Sequence, residues 1–301
     1  MIKKKISVET VLEFLGKKVI TVHGQIEGVF IDNLADVDRV CETTLDWINP
    51  SKTNKQQMVE GSKARVLLTD PSIVPVEGKT LIVVNNPKVA LAEVGNHFYV
   101  EPPQAGIHPS AIVDGDAQIG EGVYIGPYCV IGKCVIGNGC SLDSNVRIYD
   151  GVEMGHNCSV KAGAVLGGAG FGFERDSSGN LFHFPQIGGL VIGNNVEIGA
   201  NTCIDRGALS DTIIGDYSKI SNLCHIAHNN KIGKNVVVTG CVNISGSNVI
   251  EDNVWIAPNS SIRGWVKVGE GATVGMAAVV TKNIPAHETW VGNPARKLEK
   301  K

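Results

Sequence analysis

Two histidines three residues apart, His225 and His228, are suited by type to acid–base chemistry. An imidazole changes its charge near neutral pH, so it can accept a proton from a nucleophile and return it to a leaving group. A preorganised N–H donor beside such a base can in addition stabilise an oxyanion. The structural alternative is that these are turn histidines bonded to the backbone. The secondary-structure elements around these histidines decide between the catalytic and the structural interpretation.

Those elements follow a six-residue period. From residue 214 onward, every sixth residue is aliphatic through twelve positions, from Ile214 to Val280. The same period runs through residues 107–131, 136–166 and 192–204, and counting Ile187 gives 27 hexads. A period of six fits neither an α-helix nor an alternating strand, and it is typical of a parallel β-helix. The fold class is therefore predicted as mainly β, and an accidentally spaced β-sandwich is the disfavoured alternative.

The predicted coil places distant residues together. Three hexads form one triangular coil, so residue i stacks on residue i+18, and Gly246 falls directly above His228. A glycine there leaves its backbone N–H open to an oxyanion. Asp205 is expected beside the site as the partner that orients His228, with Asn222 as another candidate.

Two interruptions of the period are candidate functional loops. The first, residues 167–186, is rich in aromatic residues, and the second spans residues 205–211. Phe171, Phe173 and His183 are predicted to contribute to a substrate pocket, although plain packing of the loop explains the aromatic residues equally well.

The two ends of the chain lack the period. Residues 1–101 are predicted to form a small α/β domain with a helix at Val8–Leu15. Strand-like apolar runs follow at Val19–Val22, Gly28–Ile31, Arg65–Leu68 and Thr80–Val84. The β-helix is assigned to residues 102–281 and a short tail to residues 282–301.

Composition excludes several classes of protein. A net charge of −3 argues against binding to nucleic acid, and no apolar run approaches the length of a membrane span. The N-terminus lacks the apolar stretch of a secretion signal. Seven of the eight cysteines fall in the periodic region without metal-binding spacing, which favours buried free thiols and a cytoplasmic location.

Several motifs resemble the LpxD family of UDP-3-O-(3-hydroxyacyl)glucosamine N-acyltransferases. They are Gly170–Phe173, Pro185–Gly188, Val196–Ala200, Ile204–Leu209 and Ile226–Asn229. The resemblance covers most of the chain. It implies a left-handed β-helix, a homotrimer, and an N-terminal domain that binds the nucleotide. It also implies that His228 is the catalytic histidine, that Gly246 supplies the oxyanion N–H, and that Asn229 contacts substrate.

The chain departs from the family pattern at several positions. Ser221 stands where the family usually has Asp, and Trp265 stands where it has a second histidine. The aromatic pair near the family's Asn-Pro nucleotide motif is absent, and Trp47 beside Asn49 is the candidate for stacking on a pyrimidine base. The tail Val291–Arg296 resembles the end of coenzyme A-dependent hexapeptide acetyltransferases.

These departures predict coenzyme A as the cofactor. Small residues such as Ala257 and Gly275 would line a groove between neighbouring copies of the chain. Lys282, Arg296 and Lys297, with Asn293, would hold the phosphates of the cofactor. The alternative for these cations is solvated surface charge.

The leading functional expectation is an acyl-CoA-dependent N-acyltransferase. Its acceptor would be a UDP- or dTDP-linked amino sugar that feeds surface polysaccharide or glycan synthesis. One alternative is the lipid A N-acyltransferase, which takes its acyl group from acyl carrier protein. Another is an inactive β-helix scaffold. No metal is expected, because His156, His225 and His228 do not form a set spaced by eighteen residues.

Overall fold

The computed structural model describes residues 4–299, which divide into two compact units on either side of the Pro102–Pro103 bond. The first unit begins with helix α1, which spans Val8–Leu15 and matches the predicted helix. Its N-terminus is capped by Ser7, whose hydroxyl accepts the backbone N–H of Thr10. The apolar face of α1 is buried in the core of this unit.

A four-stranded sheet forms the centre of the first unit. The strands of the unit are β1 (Ile6–Ser7), β2 (Val19–His23), β3 (Phe30–Ile31), β4 (Leu45–Trp47), β5 (Val66–Thr69) and β6 (Thr80–Val84). The order in the sheet is β2-β6-β5-β4, with β2 antiparallel to β6 and the remaining pairs parallel, while β1 pairs with β3.

The sequence analysis overlooked two helices of this unit. Helix α2 spans Lys55–Gly61, and α3 spans Pro87–Tyr99, where the Asn86 side chain accepts the N–H of Val89. Short 3-10 turns lie at Gly16–Lys18 and Val37–Arg39. Among the described residues, no helix is long and apolar enough to cross a membrane.

The second unit is a parallel β-helix with three sheets, which confirms the predicted fold class. The first sheet contains Gly106–Ile107, Tyr124–Ile125, Ser141–Leu142, Ser159–Val160, Glu197–Ile198, Lys219–Ile220, Val237–Val238, Trp255–Ile256 and Thr273–Val274. The second sheet contains Ile112–Val113, Val130–Ile131, Arg147–Ile148, Val165–Gly168, Cys203–Asp205, His225–Ile226, Asn243–Ile244, Ser261–Ile262 and Val279–Val280. The third sheet contains Gln118–Ile119, Val135–Ile136, Val152–Met154, Leu190–Ile192, Thr212–Ile214, Lys231–Ile232, Val249–Ile250 and Lys267–Val268.

The six-residue period arises from one inward aliphatic side chain and one sharp turn per hexad. From Ile125 onward, the aliphatic positions form a continuous buried core along the coil. The third residue after each of them often has a positive φ, as at Asn229 (61°), Ser247 (62°) and Trp265 (63°). Asparagine is frequent at these turns because it tolerates the left-handed region better than most residues.

The long interruption of the period is a loop that leaves the coil. It carries a β-hairpin of Phe173–Arg175 and Leu181–His183. Ile187, which was counted as a hexad, is 75% exposed, and that assignment is wrong. The coil resumes at Leu190–Ile192, which stacks on Val152–Met154.

The tail closes the end of the β-helix. Strand Thr289–Val291 pairs in parallel with Thr273–Val274, and Arg296–Lys297 folds back antiparallel to it. Ala295 is buried and its N–H donates to the carbonyl of Val279. The last turn of the solenoid is thereby covered by its own chain.

Candidate active site

A cavity of about 1000 Å³ lies in the second unit, between the aromatic loop and the turns of three successive coils. Its lining includes Phe171, Phe173, Phe184, Gln186, Leu209, Ser210, His228, Asn229, Lys231, Ser247 and Trp265. Apolar walls with a few polar groups are typical of a site for a small organic ligand.

His228 lines this cavity, and Gly246 lies beside it at the turn of the adjacent coil, directly before the lining residue Ser247. A side-chain carbon at position 246 would lie 2.8 Å from Cε1 and 3.0 Å from Nε2 of His228, so only glycine leaves room above the imidazole. The backbone N–H of Gly246 has no acceptor among the described residues. A base and an open N–H donor therefore lie side by side, in the register that the period predicts.

Asn229 orients the imidazole of His228. Its Oδ1 lies 2.8 Å from Nδ1 of His228 and also accepts the N–H of Ala208, while its Nδ2 donates to the carbonyl of Ser210. Because Oδ1 can only accept, Nδ1 must carry the hydrogen. The lone pair of a neutral His228 is therefore on Nε2, beside Gly246, where a base is needed.

Asp205 does not orient His228, contrary to the prediction. Its Oδ2 lies 3.2 Å from Nε2 of His225. The other candidate, Asn222, accepts the N–H of Ala200 in the turn below. The hydrogen bond from Asp205 raises the pKa of His225, although burial opposes the shift. Neither His225 nor Asp205 lines the cavity, so we assign this hydrogen-bonded pair to the wall of the coil.

The His225–Asp205 pair predicts a pH-dependent contribution to stability. A raised pKa in the folded protein stabilises it fully below the ordinary value of 6.5, and this stabilisation is lost as the pH rises through the raised value. We expect the melting temperature of Asp205→Asn to fall further below wild type at about pH 5.5 than at about pH 8.5. An equal difference at both pH values would contradict the prediction.

The aromatic loop closes one side of the cavity. The backbone of Gly170 approaches His228 so closely that a side-chain carbon there would lie 2.9 Å from Cβ of the histidine. Oε1 of Gln186 is buried without a hydrogen-bond partner among the described residues. Gln186 and Lys231 were not predicted as site residues, because neither stands out in the six-residue period or in its spacing from other candidate residues.

The predicted substrate residues of the loop divide into two groups. Phe171 and Phe173 line the cavity, with their ring centroids 4.9 Å apart. His183 is not part of the lining and packs edge-on against Phe173 at 5.2 Å. We therefore assign His183 to the packing of the hairpin.

The predicted nucleotide residues border a separate cavity of about 550 Å³ in the first unit. Trp47 and Asn49 line it together with Lys52 and Lys63. Oδ1 of Asn49 accepts the N–H of Ser51, which holds the turn after β4. The lining thus offers an aromatic ring and two cations, together with the carboxylates of Asp36 and Asp46.

Several of the residues assigned to coenzyme A serve the end of the coil. A side-chain carbon at Gly275 would lie 2.6 Å from Cγ1 of Val291, because the strand of the tail covers this glycine. Lys297 pairs with Glu288 at 2.7 Å. The remaining members of the predicted set are Ala257, which is partly buried, and the exposed Lys282, Asn293 and Arg296.

Comparisons with known proteins identify the repeat and its relatives. The family model "Bacterial transferase hexapeptide (six repeats)" matches residues 133–168 and 249–282. A UDP-3-O-acylglucosamine N-acyltransferase of Coxiella burnetii is 31% identical over 274 residues, 84% of this chain and 80% of that protein. The Caulobacter protein of the same name is 46% identical over 147 residues, 49% of this chain and 43% of that protein.

A solved structure shares the fold. LpxA from Acinetobacter baumannii is 30% identical, with a TM-score of 0.58, over 64% of this chain and 73% of that one. The second unit is thus a left-handed parallel β-helix of hexapeptide repeats.

The relatives overturn the prediction of an acyl-CoA-dependent enzyme for a general nucleotide-linked amino sugar, because the match over most of the chain is to UDP-3-O-acylglucosamine N-acyltransferases. They favour instead the alternative from lipid A synthesis. The tail whose motif suggested coenzyme A forms the cap of the coil. The chain belongs to the family of UDP-3-O-acylglucosamine N-acyltransferases, and the protein is an N-acyltransferase.

Proposed function

We propose that the protein transfers a 3-hydroxyacyl group from acyl carrier protein to the amine of UDP-3-O-acylglucosamine. The observation that carries this proposal is the position of His228 Nε2, in the lining of a cavity of about 1000 Å³, beside the open N–H of Gly246 in the next coil. The membership of the chain in the family supports the choice of donor and acceptor.

The two groups divide the work of the reaction. Nε2 of His228 takes the proton from the amine as its nitrogen attacks the thioester carbonyl, and the N–H of Gly246 donates to the oxyanion that forms. When the tetrahedral intermediate collapses, the C–S bond breaks and the imidazolium returns the proton to the thiolate. The amide product and the free thiol of the carrier then leave, and His228 is neutral again.

A direct assay tests the acceptor and the donor together. The purified protein is incubated with UDP-3-O-acylglucosamine and either 3-hydroxyacyl carrier protein or the matching 3-hydroxyacyl-CoA. We expect N-acylated product with the carrier protein and much slower turnover with coenzyme A. The same sugar with its amine already acetylated is the control. Failure to form product from the carrier protein would refute the proposal.

Recognition of the uridine is assigned to the N-terminal domain, residues 1–101. Stacking of a base on an aromatic ring contributes about 1–3 kcal/mol, so we expect Trp47→Ala to weaken binding of UDP by about 5- to 150-fold. Titration calorimetry with UDP measures the change, and Trp255→Ala, at an exposed position on the β-helix, is the control. Unchanged affinity in Trp47→Ala would place the base elsewhere.

The active assembly is proposed to be a homotrimer. Closed threefold symmetry gives every copy the same neighbour along the exposed faces of the β-helix. Several large apolar side chains on those faces are exposed in the isolated chain, including Leu223, Trp265 and Met276. Light scattering gives the mass in solution, and a monomer would contradict this assignment.

A further inference from the structure

Two fully buried asparagines, Asn230 and Asn248, lie inside the corner of the coil that carries the candidate site. They occupy equivalent positions of their hexads, two residues before the inward aliphatic residue. The next coil has Val266 at this position, so the fold does not require a polar side chain there. Burying an amide side chain costs free energy unless its polar atoms are hydrogen-bonded, so these two side chains must have partners inside the coil.

Both asparagines donate to one peptide carbonyl. Nδ2 of Asn230 lies 3.0 Å from the carbonyl oxygen of Ser245, and Nδ2 of Asn248 lies 2.6 Å from the same atom. Asn230 Oδ1 accepts the N–H of Asn248, and Asn248 Oδ1 accepts the N–H of Val266. These backbone donors fix the orientation of both amides, so the two contacts with Ser245 are donated by the side chains.

The carbonyl of Ser245 belongs to the same peptide unit as the N–H of Gly246. A trans peptide is planar, and its C=O and N–H point in opposite directions. Two donors inside the coil hold the C=O inward, so they hold the N–H of Gly246 outward, toward the space beside Nε2 of His228. Hydrogen bonds to a carbonyl also polarise its peptide and make the N–H a stronger donor.

We infer that Asn230 and Asn248 are positioning residues that aim and polarise the N–H of Gly246 for the oxyanion. The inference rests on the proposed function and deepens it. Neither side chain needs to touch the substrate, because each acts through the Ser245–Gly246 peptide. Asn230 also donates to the carbonyl of Ala227 at 2.6 Å, so it ties the turn of His228 to the turn of Gly246.

The chain offers a matched control in Ser260. Its hydroxyl fills the equivalent hexad position on another corner, where Oγ lies 2.6 Å from the carbonyl oxygen of Ala257 and 2.9 Å from that of Gly275, and its single O–H is shared between these two acceptors. Ser260→Val removes the same kind of corner hydrogen bonds away from the cavity. Asn248→Ser is the conservative variant, since a serine hydroxyl at this hexad position reaches the corner carbonyls.

The experiment compares Asn248→Val, Asn248→Ser and Ser260→Val in the acylation assay, with melting temperatures measured in parallel. A misplaced catalytic group can cost up to about 100-fold, and we expect Asn248→Val to lower kcat by about 10- to 100-fold with little change in KM for the sugar. Asn248→Ser should recover most of this loss. Ser260→Val should lose a similar amount of stability and keep the wild-type kcat.

The possible failures are distinguishable. Wild-type kcat in Asn248→Val, an equal loss in Ser260→Val, or an Asn248→Ser variant as slow as Asn248→Val would overturn the positioning role while the wild type still turns over. A wild type that does not acylate the sugar would overturn the proposed function, and the positioning role with it.

Discussion

His228→Ala is expected to lower kcat by about 10²- to 10⁴-fold, the usual contribution of a general base. The physical reason is that Nε2 of His228 carries the free lone pair of the site, since Nδ1 is committed to Asn229. The fall should appear in kcat more than in KM, because proton transfer occurs in the transition state. Steady-state acylation of UDP-3-O-acylglucosamine measures both constants.

His156→Ala is the matched control for this change. His156 occupies the same position of its hexad, and its Nδ1 accepts the N–H of Asn138 at 2.9 Å, so it is a turn histidine bonded to the backbone. Its removal should cost stability and leave kcat unchanged. If His228→Ala kept most of its kcat, the amine would be attacking without a side-chain base.

Gly246→Ala keeps the backbone N–H but is expected to lower kcat by about 10²- to 10³-fold, the size of loss that follows when an oxyanion donor can no longer be used. The added methyl would lie 2.8 Å from Cε1 of His228, so it both displaces the imidazole and fills the space that the oxyanion needs. The same assay measures the loss, with thermal unfolding as the check on the fold.

Gly240→Ala controls for the substitution itself. Gly240 has the same place in its hexad, and the nearest atom to an added side-chain carbon is the carbonyl oxygen of Asn222 at 3.7 Å, an ordinary contact. This variant should keep both its stability and its kcat. Equal activity in Gly246→Ala and Gly240→Ala would remove Gly246 from the mechanism.

The solenoid was predictable because its energetics repeat. The same demand for one inward aliphatic residue recurs in each hexad. Of the 27 predicted aliphatic positions, 26 lie in strands of the three sheets. The assignment of Ile187 was wrong because a single aliphatic residue between two loops has no neighbouring hexad with which to define a period. Helix α3 packs against β4 and β5, and the buried Val59 of α2 packs in a cluster with Leu67 and Leu81 of the sheet, so both helices depend on tertiary contacts that the local sequence pattern does not show.

The candidate site was predictable to the extent that it follows the coil. The register of eighteen residues places Gly246 above His228, and the longer route through residues 205–211 still stacks Ile204 on Ile226. The prediction that Asp205 orients His228 was wrong. The stacking register locates backbone positions, but it does not determine which atoms a side chain can reach. Asn229, predicted to contact substrate, does line the cavity, and its amide also hydrogen-bonds to the adjacent imidazole, a role that the sequence did not indicate.

The donor was mispredicted for a different physical reason. A stack of coils exposes apolar residues at its last turn, so every such protein needs a covering segment. The tail around Val291 and Ala295 meets that need here by strand pairing and burial. The short motif of the tail therefore indicates how the last coil is covered, and it says little about which thioester the enzyme uses.

The stacking of identical turns has a consequence for how such an enzyme can diversify. Neighbouring coils are separated by about 4.8 Å, the spacing of adjacent strands. Exchanging two residues would move an imidazole and its glycine partner by one such step along the axis while every backbone atom keeps its place. The coil spacing therefore fixes the size of the step by which selection can move the reacting atom relative to the ends of its substrates.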